Sequence, residues 1–485
     1  SQAEHIPVHL GAMPESVKAA LEQLPPDEWN EKDVVILNDP YEGGTHLPDI
    51  TMIAPVIKNK TLSGFVANRA HHADIGGKVP GSMPGDSTEI FQEGLRIPPT
   101  KLVDEGTLNR GFWRLLLANV RTPDERQGDL RAQLAANTTG INRFQSIVMK
   151  YGTLAVTTFL QDLLSYSRKR MLKEISKMPI GDYSFTDYLD NDGITDEPVK
   201  ISVIVTLSKR KVIFDFSNTV PQTQGNVNAT YAVTLSTCYY VLRCVTDPTI
   251  PANAGCYEPL KVKAPLGSLL NPAPPAAVSA GNVETSQRIV DVLFGALAQA
   301  LPDRIPAASQ GTMNNLTIGG LFPKSHRSFA FYETIGGGLG ARPNADGIDG
   351  IHSHMTNTAN TPIEALETTY PLRVRCYKLI SNSGGLGRYR GGYGIQRDIE
   401  ILTDQAMVSI QSDRRHLAPW GLQGGKAGYR GTNGIWHNNR WEPLPSKVSI
   451  TTHRGDVISI QTPGGGGFGK PVKQNKSSPR RSTTS

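Results

Sequence analysis

The sequence is poor in cysteine, in long apolar runs and in net charge, and each scarcity argues against a class of protein. Only four of the 485 residues are cysteine, and none forms a Cys-x-x-Cys pair, which argues against a disulfide-rich secreted fold and a thiolate zinc site. No apolar run reaches the roughly 18 to 20 residues that a membrane-spanning helix needs. The first residues also lack the basic and apolar regions of a signal peptide. We therefore expect a cytoplasmic protein without a membrane partner.

The formal net charge is only +6, and much of it lies at one end of the chain. Segment 470–485 has no acidic residue and carries five basic ones: Lys470, Lys473, Lys476, Arg480 and Arg481. The rest of the chain is close to neutral, so no basic face for nucleic acid is indicated. The segment itself is rich in Ser, Lys and Pro, a composition that is typical of disorder.

Glycine and proline, by contrast, are abundant, with 48 and 34 copies, well above their usual combined share of about 12%. Such a composition favours turns and shaped loops over a helical bundle, so we predict a mixed, multi-layer α+β fold. Its parts are a metal-bearing N-terminal part with helices (1–175), a β-hairpin and helix segment (176–270), a β-rich, glycine-rich part (271–469) and a disordered basic tail (470–485).

Local patterns predict the elements of these parts. Two strand candidates, 33–37 and 64–68, each lead into a polar loop, and 51–60 suggests a hairpin return between them. The turn at 190–193 (Asp-Asn-Asp-Gly) predicts a second hairpin. Periodicity and end signals predict helices at 15–23, 129–137, 154–173, 230–245 and 286–301.

The helical stretch between Arg126 and Arg143 also carries several polar side chains. These include Asp129, Arg131, Gln133 and Asn137. We interpret them as a solvated helix face, since a run of polar residues in a helix usually faces water.

Histidine and aspartate concentrate in one stretch near the N-terminus. His46 and Asp49 lie three residues apart on a loop shaped by glycine and proline, and the second strand candidate leads to His71, His72 and Asp74. Neutral imidazole and carboxylate suit Zn, Mn or Fe(II). Three protein ligands would leave coordination positions open, as in catalytic rather than structural sites. The alternative is that the aspartates cap turns and the histidines make ordinary hydrogen bonds; Asp39 is expected to shape the turn after its strand.

A second candidate is the glycine-led loop 335–358, in which His352 and His354 could face a substrate. A turn-rich connection with satisfied polar side chains is the equal alternative. Two other patterns are rejected. The C-terminal Gly464 to Lys470 run resembles a phosphate loop but is followed by Pro471 rather than Ser or Thr and a helix. No G-x-S-x-G elbow of a serine hydrolase is present.

Several motifs, in order along the chain, resemble the hydantoinase B / 5-oxoprolinase family. The first is 38–49 (Asn-Asp-Pro-Tyr-Glu-Gly-Gly-Thr-His-Leu-Pro-Asp). The others are 71–77 (His-His-Ala-Asp-Ile-Gly-Gly), 81–84 (Gly-Ser-Met-Pro), 281–287 (Gly-Asn-Val-Glu-Thr-Ser-Gln), 352–358 (His-Ser-His-Met-Thr-Asn-Thr) and 462–467 (Thr-Pro-Gly-Gly-Gly-Gly). The resemblance extends from Gln2 to about Gly469.

The resemblance implies an ATP-dependent amidohydrolase or carboxylase system of two subunits or fused domains. A partner of the hydantoinase A type, with an actin-like ATPase fold, would bind ATP and phosphorylate the carbonyl oxygen of the substrate. The B-type chain would then process the activated species at a divalent metal. We therefore expect a hetero-oligomer whose substrate is a small cyclic amide and whose ATP is bound by the partner.

The resemblance also implies a ligand set. In relatives of the acetone carboxylase type, the metal is held by a His, an Asp three residues later and a His 25 residues after the first, which match His46, Asp49 and His71. His72 and Asp74 lie outside that set and are expected to act in catalysis, by orienting water or transferring a proton. Family members begin further upstream, with an acidic residue that can complete the metal shell, so a fourth ligand is expected outside this sequence.

The function implied is ring opening of a cyclic amide, with His352 and His354 binding the substrate. Phosphorylation of the ring carbonyl oxygen would create a better leaving group, and a metal would assist attack by water. Two alternatives stay open: a ketone carboxylase, in which an activated enolate meets CO2 or bicarbonate, and a non-catalytic scaffold for the ATPase partner.

Overall fold

The computed structural model describes residues 6–58 and 60–471. The predicted disorder of the basic tail concerns residues that, beyond Pro471, lie outside the described part. Helices and several sheets alternate along the chain, which confirms the α+β class. Within the described residues, every helix is either too short or too polar to cross a membrane. The sequence-based division into four parts stays a prediction.

The N-terminal part is built on a five-stranded antiparallel sheet with the order β3-β2-β1-β4-β5. Its strands are β1 (Val34–Leu37), β2 (Asp49–Lys58), β3 (Thr61–His71), β4 (Thr100–Asp104) and β5 (Thr107–Leu108). The predicted hairpin is confirmed as β2 and β3, which pair along almost their whole length. Two predicted strands, at 33–37 and 64–68, are confirmed within β1 and β3.

Both faces of this sheet are covered by apolar clusters. Neighbouring residues of β1 point to opposite sides, so they belong to different clusters. Val35 packs in a cluster with Ala20, whereas Ile36 packs in another with Leu130. The surrounding helices are α1 (Ala12–Gln23), α2 (Arg110–Ala118), α3 (Pro123–Tyr151) and α4 (Thr153–Ile175). Single 3-10 turns lie at Pro7–His9, Pro26–Glu28 and Ile90–Gln92.

The interpretation of the polar side chains of α3 as a solvated face is wrong for Gln133 and Asn137, and Arg126 at the start of the same stretch is buried as well. Arg126, Gln133 and Asn137 are buried, although Arg131 is exposed. Gln133 donates a hydrogen bond to the backbone carbonyl of Ile50 on β2, so the polar residues fasten the helix to the sheet. Side-chain amides can do this because they satisfy backbone groups that packing would otherwise leave without a partner.

The middle of the chain forms a four-stranded sheet with the order β6-β7-β8-β9, in which only β8 and β9 run parallel. Its strands are β6 (Gly181–Leu189), β7 (Val199–Leu207), β8 (Val212–Asp215) and β9 (Leu260–Lys263). The predicted turn at 190–193 begins the connection from β6 to β7. The helices are α5 (Tyr231–Cys244), α6 (Ala254–Tyr257) and, after a π-helical turn at Gly281–Thr285, α7 (Ser286–Ala300).

Helix α7 is the centre of the largest apolar core. All its residues but one are buried, and it packs against β6, β7 and α5. A helix that is apolar on nearly all sides is typical of a protein interior. The entry into α7 is tight, since a side chain at Gly281 would meet the backbone carbonyl of Asn228 at 1.8 Å.

The C-terminal part is β-rich, as predicted. One sheet has the order β11-β10-β14-β17, with β10 (Asn315–Leu321), β11 (Ser328–Thr334), β14 (Gln405–Gln411) and β17 (Lys447–His453). The other has the order β12-β13-β18-β15-β16, with β12 (Leu372–Leu379), β13 (Ile395–Ile401), β15 (Thr432–His437), β16 (Arg440–Leu444) and β18 (Val457–Gln461). The short helix α8 (Ile363–Thr369) lies between β11 and β12, and the two sheets share one apolar cluster.

Buried ion pairs join the middle and C-terminal parts. Asp413 lies 2.8 Å from Arg288 of α7 and 3.3 Å from Lys447 of β17, and none of the three side chains is exposed. Arg414 contacts Asp187 of β6 and Asp291 of α7. Such pairs are costly to break, because removal of one partner leaves the other charge buried without compensation.

We therefore predict that Asp413→Ala lowers the free energy of unfolding by about 3–5 kcal/mol, measured by urea denaturation. The matched control is Asp404→Ala, which removes an exposed carboxylate that pairs with Arg454 and should change stability little. Equal, small effects of both substitutions would contradict this account.

Candidate metal centre

The β2–β3 hairpin places the second and third predicted metal ligands opposite each other. β2 begins at Asp49 and β3 ends at His71, and the antiparallel register pairs these two residues directly. Side chains on directly paired residues share one face of the sheet and lie within contact distance. Residues 22 positions apart in sequence therefore meet because of strand pairing.

The first predicted ligand comes from the loop before β2. The backbone amide of Asp49 donates to the carbonyl of His46, which closes a tight turn and directs the His46 imidazole back towards Asp49. The Asn38 side chain fastens the loop through the carbonyl of Leu47. Asp39 accepts a hydrogen bond from the amide of Tyr41, which confirms its predicted role in shaping the turn that follows β1.

The three side chains converge. His46 Nε2 lies 3.2 Å from Asp49 Oδ2, His71 Nδ1 lies 3.2 Å from Asp49 Oδ1, and the two imidazole nitrogens are 3.3 Å apart. All three donor atoms lie within 4.8 Å of one another. His46 and Asp49 are buried, whereas His71 is open to a cavity. The structure therefore brings together the predicted ligand set.

The pKa values of Asp49 and His71 are both lowered. Burial alone would raise the pKa of Asp49, but the imidazoles of His46 and His9 hold it well below its usual value. Burial lowers the pKa of His71, against the opposing effect of its hydrogen bond to Asp49. A carboxylate and a neutral imidazole are the forms that bind a divalent metal. The donor set thus fits Zn, Mn or Fe(II).

Two residues that the sequence did not single out surround Asp49. His9 Nε2 lies 3.8 Å from Asp49 Oδ2, and His9 Nδ1 lies 3.3 Å from the Arg69 guanidinium. Because a guanidinium only donates, Nδ1 is the acceptor, so a neutral His9 carries its proton on Nε2, facing Asp49. Thr45 also donates to Asp49. These contacts orient the carboxylate from outside the converging group.

His72 points to the other side of the sheet from His71. Its Nε2 lies 2.9 Å from Oε1 of Gln133 on α3. The Gln133 amide nitrogen donates elsewhere, so Nε2 carries the proton, and the buried Nδ1 has no hydrogen-bond partner among the described residues. Burial lowers the pKa of His72 to about 4, so the ring is neutral at pH 7.

The carboxylate of Asp74 is saturated by hydrogen bonds in the loop after β3. Its two oxygens accept from the amides of Gly76, Gly81 and Arg121 and from the Arg121 guanidinium. Four donors on one buried carboxylate hold the loop in shape. This arrangement favours a positioning role for Asp74 over proton transfer.

His352 and His354 lie on the loop before α8. His354 Nδ1 is 3.4 Å from the Tyr240 hydroxyl on α5, and its ring packs edge-on against Phe294 on α7. Burial lowers the pKa of His352 to about 4. Among the described residues, neither ring nitrogen of His352 nor Nε2 of His354 has a hydrogen-bond partner. Their role in substrate binding stays a prediction.

A buried hydrogen-bond chain behind His71 was missed by the sequence analysis. The Tyr332 ring stacks on His71 with centroids 4.7 Å apart, and its hydroxyl donates to Asn315. The Asn315 amide donates to Glu284 Oε1, which also accepts from the amide of Met313. The sequence signal for this chain was Glu284, the acidic residue of the motif 281–287. The structure shows that it lies in a buried helical turn.

Glu284 is fully buried, and its second oxygen has no hydrogen-bond partner among the described residues. Burial raises its pKa to about 7, against a hydrogen bond from Thr312; the charge of Asp413 adds to the shift, whereas Lys447 and Arg415 oppose it. Near neutral pH this carboxyl is therefore divided between its two forms, while in the unfolded chain it is ionised.

This shift predicts a pH-dependent stability. As pH rises from 4.5 to about 7, the unfolded carboxyl ionises while the folded one keeps its proton, so Glu284 reduces stability by up to about 3 kcal/mol. In Glu284→Gln that loss is absent. The free energy of unfolding of the variant, measured with urea, should therefore rise relative to that of the wild type between pH 5 and 7.5. The exposed Glu442→Gln serves as control. A constant difference across this range would contradict the prediction.

The converging group opens on a large cavity of about 1320 Å³. His71, Arg69 and His9 line one side of it. The other side is lined by α1 and by the region around Tyr239 and Tyr257, with mostly apolar and some charged side chains. A pocket with an apolar wall and a few polar groups is typical of a small-molecule site.

Comparisons with known proteins identify relatives of this chain. The profile of the Hydantoinase B/oxoprolinase family matches residues 1–471. An uncharacterized protein of Methanocaldococcus jannaschii is 44% identical over 98% of this chain and 83% of its own length. The 5-oxoprolinase of Dictyostelium discoideum is 40% identical over 97% of this chain, which spans 36% of that enzyme. A protein of Pseudomonas sp. strain NS671, named as a candidate B-type component of a D-/L-hydantoinase, is 35% identical over 96% of this chain and 81% of its own length.

Solved structures share the fold. The ATP-dependent caprolactamase from Pseudomonas jessenii superposes with a TM-score of 0.89 and 28% identity, over 97% of this chain and 82% of that one. An acetone carboxylase chain has the same TM-score at 20% identity, over 98% of this chain and 70% of that one, and this shows likeness of fold alone. The profile match over nearly the whole chain and the relatives of similar length together show that this chain belongs to the Hydantoinase B/oxoprolinase family.

Proposed function

We propose that this chain is the B-type component of an ATP-dependent cyclic-amide hydrolase. The observation that carries the proposal is the convergence of His46, Asp49 and His71 at the edge of a large cavity. Relatives named 5-oxoprolinase and caprolactamase support a cyclic amide as substrate. In line with the relative named as a B-type component of a hydantoinase, the ATP-binding function is assigned to a hydantoinase A-type partner.

In this proposal His46 Nε2, His71 Nδ1 and one oxygen of Asp49 hold one divalent metal. Such an ion supplies Lewis-acid polarisation and lowers the pKa of water. The chain itself contributes the orientation of the site: His9 and Thr45 fix Asp49, and the cavity on the His71 side admits the substrate. Zn, Mn and Fe(II) all suit the donor set.

The reaction couples two covalent changes. The partner transfers the terminal phosphoryl group of ATP to the ring carbonyl oxygen, which makes the ring carbon more electrophilic. One water adds to that carbon, the C–N bond breaks and the ring nitrogen takes up a proton, which leaves an acyl phosphate. A second water then releases phosphate and the carboxylate. Dependence on ATP suits a cytoplasmic reaction and a hetero-oligomer of A-type and B-type chains.

The remaining predicted residues receive supporting roles. His72 and Asp74 are proposed to act in catalysis by positioning the end of β3 and the following loop, since their polar contacts are with Gln133 and Arg121. His352 and His354 are proposed to contact the substrate, because three of their four ring nitrogens are buried without a protein partner among the described residues.

A ketone carboxylase is the second candidate, supported by the shared fold with acetone carboxylase. That reaction would join CO2 or bicarbonate to an activated ketone at the same three residues. The two functions separate in one assay with the partner and ATP: bicarbonate-dependent product from a ketone favours carboxylation, whereas product from a lactam without bicarbonate favours hydrolysis. An empty metal site at full partner affinity would favour the non-catalytic scaffold instead.

His46→Ala is expected to lower metal affinity by more than about 100-fold, because even residues that only orient a ligand contribute roughly 10- to 100-fold. Elemental analysis after dialysis measures the metal, and ring opening with the partner and ATP measures the activity, which should be lost. Partner association should persist.

The matched control is His437→Ala, which removes a half-exposed histidine that pairs with Asp456. It should keep both metal and activity. Retention of metal and activity in His46→Ala would refute the proposed site.

A further inference from the structure

Arg69 occupies an unusual place beside the candidate metal centre. It lies on β3 two residues before His71, so both side chains point to the same face of the sheet. Both line the large cavity. Two residues along a strand span about 7 Å, which is close to the width of a small ring.

The Arg69 guanidinium is held in place by two hydroxyl groups and an imidazole. Nε donates to Thr51 Oγ1 at 2.8 Å, Nη2 donates to Ser16 Oγ at 2.6 Å, and Nη1 lies 3.3 Å from His9 Nδ1. A guanidinium has five N–H groups, so these contacts leave one N–H on each terminal nitrogen. These contacts fix the orientation of the group, and each terminal nitrogen keeps one N–H that can donate to an oxyanion, a group that arginine often binds in bidentate fashion.

No carboxylate of the described residues forms an ion pair with Arg69. Among the described residues, none places a carboxylate oxygen within 4 Å of Arg69, whereas the fully buried Arg288, Arg397 and Arg414 each have such a partner. Asp49 acts on Arg69 only from a longer distance. A cation bound by Asp49 would use up that negative charge and leave the guanidinium without compensation, which is costly in a desolvated site.

The other ionic groups of the cavity are already paired. Lys18 lies 3.9 Å from Glu22, and Glu258 contacts Arg168. The Arg69 guanidinium is charged at neutral pH, as arginine is in proteins generally. The cavity wall therefore presents one fixed, uncompensated positive group next to His71.

We propose that Arg69 is an anion subsite of this cavity, which binds a carboxylate or phosphoryl group of the substrate while the reacting amide lies at His46, Asp49 and His71. This inference rests on the proposed function for its substrate class, but the anion site itself does not. The anion has two possible sources with one chemistry: an acidic substituent on the ring, or the phosphoryl group that activation adds.

The first test measures binding alone, on the full chain loaded with Zn2+. Isothermal titration uses inorganic phosphate and a five-membered lactam carboxylate as separate probes. Arg69→Gln should weaken binding of at least one probe by about 10- to 100-fold, the usual worth of a charge-assisted hydrogen bond. Arg69→Lys keeps the charge but loses the forked pair of donors, so its affinity should lie between those of the wild type and Arg69→Gln.

Two controls separate charge from structure. Lys18→Gln removes a positive charge from the same cavity, but from an exposed pair, and should leave both affinities within about twofold. Ser16→Ala removes one support of the guanidinium without removing its charge and should keep most of the affinity. Equal metal content and unfolding midpoints verify that Arg69→Gln is folded; if it is not, Arg69→Lys carries the test.

The second test identifies the source of the anion, with the partner, ATP and two lactams that differ only in a ring carboxylate. If the carboxylate is bound, Arg69→Gln raises KM about 10- to 100-fold for the acidic lactam and leaves the plain lactam unchanged. If the phosphoryl group is bound, kcat falls for both lactams.

Wild-type protein that binds neither probe, or Arg69→Gln that binds both as the wild type does, would overturn the anion subsite. So would unchanged kinetics of Arg69→Gln with both lactams. Failure of the wild type to open any lactam would instead refute the proposed function, and the binding test would still decide on Arg69.

Discussion

The geometry of the candidate metal centre depends on the pairing of Asp49 with His71 across the β2–β3 hairpin. Strand register is specified by the alternation of side chains between two faces, and a slip of one residue would turn every side chain of a strand to the opposite face. In that event His71 would exchange sides with His72 and point to α3. The apolar clusters on both faces of the sheet, around Val35 and around Ile36, oppose such a slip. Packing of the sheet thus fixes the position of the candidate metal ligands.

The two faces of the sheet at this point have different surroundings. On the His71 side lie the cavity, Arg69 and His9, so this face can meet a ligand. On the His72 side, Gln133 of α3 accepts a hydrogen bond from His72 and donates one to the backbone of β2. A flexible loop could not hold three donors so close, and placing two of them on paired strands is a rigid way to build a site. Behind His71, Tyr332 stacks on the imidazole and also packs against the largest apolar core, around α7.

The elements that the sequence predicted well are local ones. The hairpin, the helices α4, α5 and α7 and the ligand loop follow from residue alternation, helix periodicity and turn chemistry, all of which are properties of neighbouring residues. The polar face of α3 was misjudged because Gln133 finds its partners on β2 and β3, more than sixty residues earlier. Glu284 and Arg69 could not be predicted from the sequence for a related reason. Among the described residues, Glu284 is distinctive because one of its buried oxygens has no donor, and Arg69 because its contacts do not include a carboxylate.

The central claim is that His46, Asp49 and His71 together hold one divalent metal. X-ray absorption at the zinc edge, on the purified full chain loaded with one equivalent of Zn2+, tests it most directly. The account predicts imidazole scattering from two histidines and a shell of only nitrogen and oxygen at about 2.0–2.2 Å. A sulfur shell at about 2.3 Å, or a spectrum without imidazole scattering, would contradict it.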